Sequence, residues 1–240
     1  MPVGNAQLVL ISGESASGKS ASLQHIPNQE RWAYMNTESG KALPFKNNFK
    51  SGVVTDPYQV PATFEEITNN PDFDGIILDS LTFLMDMYES QVVLTAKDKR
   101  EAWGHYAQFF KQLMNIHVAN CDKHVIFLAH TKKEQDAQLI DRVQVPIKGS
   151  LNNQGIEAYF STVVSTKKVN LPELEGQDPE LLHITEDDKL VGYKHVFQTR
   201  LTKETVGERI RGPMGLFEPD QTFMDNNAAL LIDHMIKYYS

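Results

Sequence analysis

The sequence predicts a three-layer α/β fold in which a mostly parallel central sheet lies between helices. Three observations carry that expectation. Apolar runs of strand length alternate with helical stretches through the first half of the chain, the pattern of parallel strands joined by helical crossovers. The 240 residues are 41% hydrophobic, enough to fill the core of one domain spanning 1–240. A glycine-rich phosphate-loop signature stands directly after the first apolar run, where nucleotide-binding α/β proteins place it.

Taken in order, "QLVLISG" (7–13), "WAYMNTE" (32–38), "GVVT" (52–55), "GIILDS" (75–80) and "HVIFLAH" (124–130) read as strands. The clearest helix is "REAWGHYAQFFKQLMNIHVAN" (100–120). Trp103, Tyr106, Phe110, Leu113 and His117 recur there at steps of three and four, which puts them on one face packed into the core. From residue 140 onward the pattern changes. "LIDRVQVPIKGSLNNQGIEAYFSTVVSTKKVN" and "LVGYKHVFQTRL" read as strands and turns that add antiparallel strands at the C-terminal edge of the sheet. "LPELEGQDPE" reads as a surface loop. The tail, 220–240, contains "NNAALLIDHMIKYYS", an amphipathic helix expected to start near an Asn226 cap.

A net charge of -8 argues against a protein coated in basic surface and leaves room only for local cationic sites. The single cysteine, Cys121, excludes an internal disulfide framework. The N-terminus lacks the basic region and cleavage site of a signal peptide. No apolar run approaches the roughly 20 residues that cross a bilayer. A cytoplasmic protein without a membrane role is expected.

Gly13, Glu14, Ser15, Ala16, Ser17, Gly18, Lys19 and Ser20 match G-x-x-x-x-G-K-[ST], with Ala21 continuing into an expected helix. In such a loop the glycines let the backbone wrap closely, successive N–H groups converge on phosphate oxygens, and a helix N-terminus adds favourable potential. Lys19 neutralises phosphate charge and the Ser20 hydroxyl joins the shell of Mg²⁺, so ATP and Mg²⁺ are the expected ligands. Asp79, at the end of "GIILDS", is the expected second metal-site residue, although it also fits a helix cap. Glu38, ending "WAYMNTE", is the candidate to orient and deprotonate water; it also fits a salt-bridge partner of Lys41. His130 reaches the same sheet edge, either to sense the γ-phosphate or as a structural hydrogen-bonding group.

With "GESASGKS", "NTE", "IILDS" and "IFLAH" in this order, the chain resembles the RecA-like core of recombinase ATPases. Within that group it is most similar to short, single-domain phage ATPases of single-strand annealing and recombination, over residues 7 to 215. The resemblance implies a RecA-like P-loop NTPase whose ATP hydrolysis is stimulated by single-stranded DNA. It also implies head-to-tail homo-oligomers, filament or ring, with ATP between subunits, a single-strand binding protein as a partner, and the host cytoplasm as location. It places a DNA-contacting loop after His130, so Lys132, Lys133 and Lys148 become phosphate contacts, although each also fits a solvated surface. Lysines in a mobile loop beside a nucleotide sensor would couple ATP state to strand grip. It further implies a cation reaching the nucleotide from a neighbouring subunit, for which "QTRLTKETVGERIRG" offers Arg200 and Lys203, although both also fit a helix-edge or DNA-binding role.

Two features depart from the family. About seven residues precede the first strand, too few for the N-terminal polymerisation segment of longer members. There is no aromatic platform interleaved with basic residues, so backbone contacts should dominate any DNA binding. A nucleotide-driven oligomeric switch acting on a protein partner, and a helicase-type motor, are alternatives on the same core.

Overall fold

In the computed structural model, residues 8–135, 139 and 141–240 are described. All six residues of β1 (Leu8–Gly13) are buried. Leu8 and Leu10 enter one apolar cluster, Val9 and Ile11 another. A strand that buries both faces needs cover on both sides, and this creates the three layers. The chain continues through β2 (Trp32–Asn36), β3 (Lys50–Val53), α1 (Gln59–Ile67), β4 (Gly75–Asp79), α2 (Leu81–Tyr88), α3 (Lys99–Gln112) and β5 (His124–His130). It then forms β6 (Lys132–Gln135), β7 (Asp141–Gln144), α4 (Leu151–Gln154), β8 (Thr162–Asn170), α5 (Glu186–Val191), β9 (Tyr193–Gln198), β10 (Phe223–Asp225) and α6 (Ala228–Tyr239).

Among the described residues the strands make an eight-stranded sheet, β10-β9-β8-β1-β5-β4-β2-β3, and a separate two-stranded hairpin, β6–β7. Phe64, Leu84, Tyr106 and Phe110 of α1, α2 and α3 fill the cluster on one face. Leu231, Ile232 and Met235 of α6 fill the other. The register sets Gly13 beside His130 and Asn36 beside Asp79. The carboxyl ends of β1, β2, β4 and β5 therefore share one edge, where ligands of open α/β sheets gather. No described helix is long and apolar enough to cross a membrane.

Four expectations change. β8 is not an antiparallel addition: it runs parallel to β1, and antiparallel pairing in this sheet is confined to β8–β9 and β9–β10, with β9 as the reversed strand. The long crossover from β5 through the hairpin and α4 brings the chain back in the same direction, as a parallel pair requires. The helix expected after the phosphate loop is a single 3₁₀ turn, Ser20–Leu23, because Pro27 lacks an N–H and Asn28 adopts a left-handed φ of 49°. The 100–120 helix is α3 followed by a π-helical turn, Leu113–Val118, with Tyr106, Phe110 and Leu113 in the core as expected. "LPELEGQDPE" is not wholly surface, since a 3₁₀ turn at Leu171–Leu174 buries Leu174.

Candidate active site

The phosphate loop holds its shape without a long helix behind it. Ala16 (φ 60°) and Gly18 (φ 110°) are both left-handed, the change of hand by which successive backbone N–H groups converge on an anion. A Cβ at Gly18 would lie 2.6 Å from Asn226 Nδ2 and 3.1 Å from His195 Nδ1, so only glycine fits. Those neighbours brace the loop: His195 Nδ1 donates to the Ser17 carbonyl at 2.7 Å and Asn226 Nδ2 to the Gly18 carbonyl at 2.9 Å. The Ser17 hydroxyl donates to the Glu14 carbonyl at 2.8 Å and meets the Thr166 hydroxyl of β8.

Lys19 is folded back onto the loop, donating to the carbonyls of Gly13 at 3.0 Å and Glu14 at 2.8 Å. Burial pushes its ammonium down to about 8, against the pull of Asp79 and Glu38. With its proton on Nε2, His130 accepts from Lys19 at Nδ1 (3.5 Å) and donates to Glu38 Oε1 at 3.0 Å. Glu38 also accepts from Lys41 Nζ at 3.2 Å. Burial alone would raise the Glu38 carboxyl, but the hydrogen bonds from His130 and Lys41 bring it below its ordinary value. It is therefore held as a carboxylate, the form a proton acceptor needs.

Asp79 is buried at the end of β4. Its Oδ2 accepts from the Ser20 hydroxyl at 2.9 Å and the Tyr34 hydroxyl at 2.8 Å. Its Oδ1 is buried and takes no hydrogen bond among the described residues. Burial raises the Asp79 carboxyl, and the bonds from Tyr34 and Ser20 oppose that rise. An orphaned carboxylate oxygen beside a serine hydroxyl is a hard-oxygen donor set that fits Mg²⁺. Among the described residues no group of three His, Cys, Asp or Glu side chains could hold a metal. A divalent ion at Asp79 and Ser20 would complete its shell with phosphate and water oxygens.

These groups converge on a cavity of about 340 Å³. Ser15, Ala16, Gly18, Lys19, Ser20 and Ala21 line it with Glu38, Asp79 and His130. Gly13, Glu14 and Ser17 border a neighbouring cavity on the β8 side, and they act on the first through their bonds to Lys19 and Thr166. Tyr34, Lys41 and His195 also line the nucleotide-sized cavity. Sequence reasoning assigned none of these three to the site, nor Asn226 or Thr166.

The cationic candidates are more constrained than a mobile loop suggests. In its place stands the β6–β7 hairpin, where Lys132 pairs with Glu134 at 2.6 Å and Lys133 with Asp141 at 2.7 Å. Residues 136–138 and 140, between these strands, lie outside the described residues. Lys148 is paired with Glu89 at 2.7 Å, while Val145, Ile147 and Leu151 anchor its segment in the core. Arg200 is exposed and donates to the Phe217 carbonyl at 2.5 Å. Neither Arg200 nor Lys203 lines the cavity of its own chain.

The AAA domain family matches residues 5–206, more than half of the chain. The chain belongs to the AAA domain family. Its phosphate loop after β1 and the Asp79–Ser80 pair at the end of β4 mark this AAA domain as a P-loop ATPase of three-layer α/β fold. Among solved structures, a KaiC-like protein from the hyperthermophilic archaeon Pyrococcus horikoshii matches with a TM-score of 0.46 and 13% identity, over 84% of this chain and 82% of that one. No curated protein matches this chain.

Proposed function

We propose that this ATPase uses hydrolysis to control its grip on single-stranded DNA, as an annealing or recombination protein of phage type working as a homo-oligomer. One observation carries the reading. The hairpin that carries Lys132 and Lys133 begins two residues after His130, and the residue between them, Thr131, donates its N–H to the Gly13 carbonyl of the phosphate loop at 3.1 Å. Nucleotide site and hairpin are thus one hydrogen bond apart. A phosphate backbone would compete with the exposed pairs of Lys132 and Lys133, which water and salt screen.

The chemistry follows from the side chains. An incoming triphosphate draws Lys19 off the Gly13 and Glu14 carbonyls and takes its charge. Glu38 accepts a proton from water as the water oxygen bonds the γ-phosphorus; the bridging P–O bond breaks and its electron pair leaves on ADP. Mg²⁺, when bound, supplies charge stabilisation at the phosphate oxygens. Ser20 and Asp79 would hold it, and Tyr34 fixes the Asp79 carboxylate. The test is ATP turnover with and without single-stranded DNA. Stimulation that disappears in a Lys132→Ala/Lys133→Ala protein supports the reading, whereas turnover indifferent to DNA contradicts it.

A further inference from the structure

We propose that Lys41 is a catalytic residue acting in cis, placing its ammonium on the γ-phosphoryl group so that the site supplies its own charge-neutralising cation. This rests on the reading of the cavity as an ATPase site, and it sets an in-chain candidate against Arg200 and Lys203 of a neighbour. Lys41 lines the same cavity as Lys19, Glu38, Asp79 and His130. Its root is fixed and its tip is exposed. The turn leading to it is left-handed at Ser39 (φ 56°) and Gly40 (φ 78°). Lys41 N–H closes the turn on the Glu38 carbonyl at 3.1 Å. The buried Asn36 side chain holds both ends, donating to the Lys41 carbonyl at 2.8 Å and accepting from Glu38 N–H at 2.9 Å. A left-handed serine is strained, and such strain persists where the surroundings over-determine it. An ordinary exposed ion pair between neighbouring residues needs no such frame.

The Lys41 side chain itself is 70% exposed and touches Glu38 Oε2 at 3.2 Å. The other Glu38 oxygen bonds His130, whose far nitrogen faces Lys19. Two ammonium groups therefore touch the Glu38–His130 pair, Lys19 at His130 Nδ1 and Lys41 at Glu38 Oε2. A γ-phosphate entering between them meets Lys19 on one side and Lys41 on the other. As Lys41 moves to the phosphate it leaves Glu38 Oε2, which is then open to the attacking water. Neutralisation of the phosphoryl group and release of the base become one motion. Lys41 stays protonated throughout: the water proton goes to Glu38 and the electron pair leaves on ADP.

The test compares wild type with Lys41→Ala, Lys41→Gln and Lys41→Arg by ATP turnover and by the tightening of ADP binding on adding aluminium fluoride, which mimics the transferring phosphoryl group. Alanine and glutamine should keep ADP affinity within about threefold, lose turnover on the order of 100-fold or more, and lose the fluoride-dependent tightening; arginine should recover both in part. Lys19→Ala chains, which retain Lys41 but lack the phosphate-binding lysine, should not restore turnover when mixed with Lys41→Ala chains. The inference is overturned if Lys41→Ala turns over within about threefold of wild type, if glutamine matches wild type, or if mixing restores activity. A wild-type protein that neither hydrolyses ATP nor tightens on ADP with fluoride overturns the ATPase reading itself, and this inference with it.

Discussion

Burial and the nearby carboxylates of Asp79 and Glu38 pull Lys19 in opposite directions, and burial wins, leaving its ammonium at about 8. Nucleotide phosphate favours the charged form, so the bound value is higher than the free one. Below about pH 8 the free lysine is already protonated and affinity is at its plateau. Above it, binding must first take up a proton, and affinity should fall by up to about tenfold per pH unit; titration of ADP binding from pH 7 to 10 measures this. Tyr34 offers a second check. It lies in "WAYMNTE", which reads as a strand, and its ring is buried; nothing in the residue order shows that its hydroxyl lands on Asp79. Tyr34→Phe should weaken binding of Mg²⁺-nucleotide about tenfold while leaving metal-free nucleotide affinity unchanged.

The C-terminal elements were the least legible part of the chain. Strand ends at Gly13, Glu38, Asp79 and His130 were readable because parallel strands deliver their carboxyl ends together and each acid or histidine closes an apolar run. His195 and Asn226 reach the phosphate loop only because β9 returns antiparallel beside β8 and α6 packs over the other face, contacts that no local pattern encodes. The cap of α6 illustrates the consequence. Asn226 was the expected cap, but Asn227 holds that position, accepting from the N–H groups of Ala229 at 3.0 Å and Leu230 at 3.3 Å. Asn226 instead donates to Gly18. Adjacent asparagines should therefore separate by phenotype. Asn227→Ala should cost about 1 kcal/mol, or about 2–4 °C in melting temperature, with nucleotide affinity unchanged. Asn226→Ala should weaken nucleotide binding about tenfold with less effect on melting.

For the whole molecule, a net charge of -8 means that any polynucleotide is held by a local feature against an unfavourable background. In the proposed function the β6–β7 hairpin is that feature, and its lysines are exposed enough to exchange their carboxylate partners for phosphates. Removing Lys132 and Lys133 together should lower the slope of log affinity against log salt for single-stranded DNA by about 1.4, near 0.7 per lost phosphate contact. The sheet edge brings nucleotide and hairpin together whatever the order of assembly, so coupling between them is the property that matters most. It is tested most directly by steady-state ATP hydrolysis with and without single-stranded DNA, in the wild type and in Lys132→Ala/Lys133→Ala. The expected result is stimulation in the wild type that is lost in the double variant at an unchanged basal rate. Wild-type hydrolysis that proceeds equally with and without DNA would contradict it.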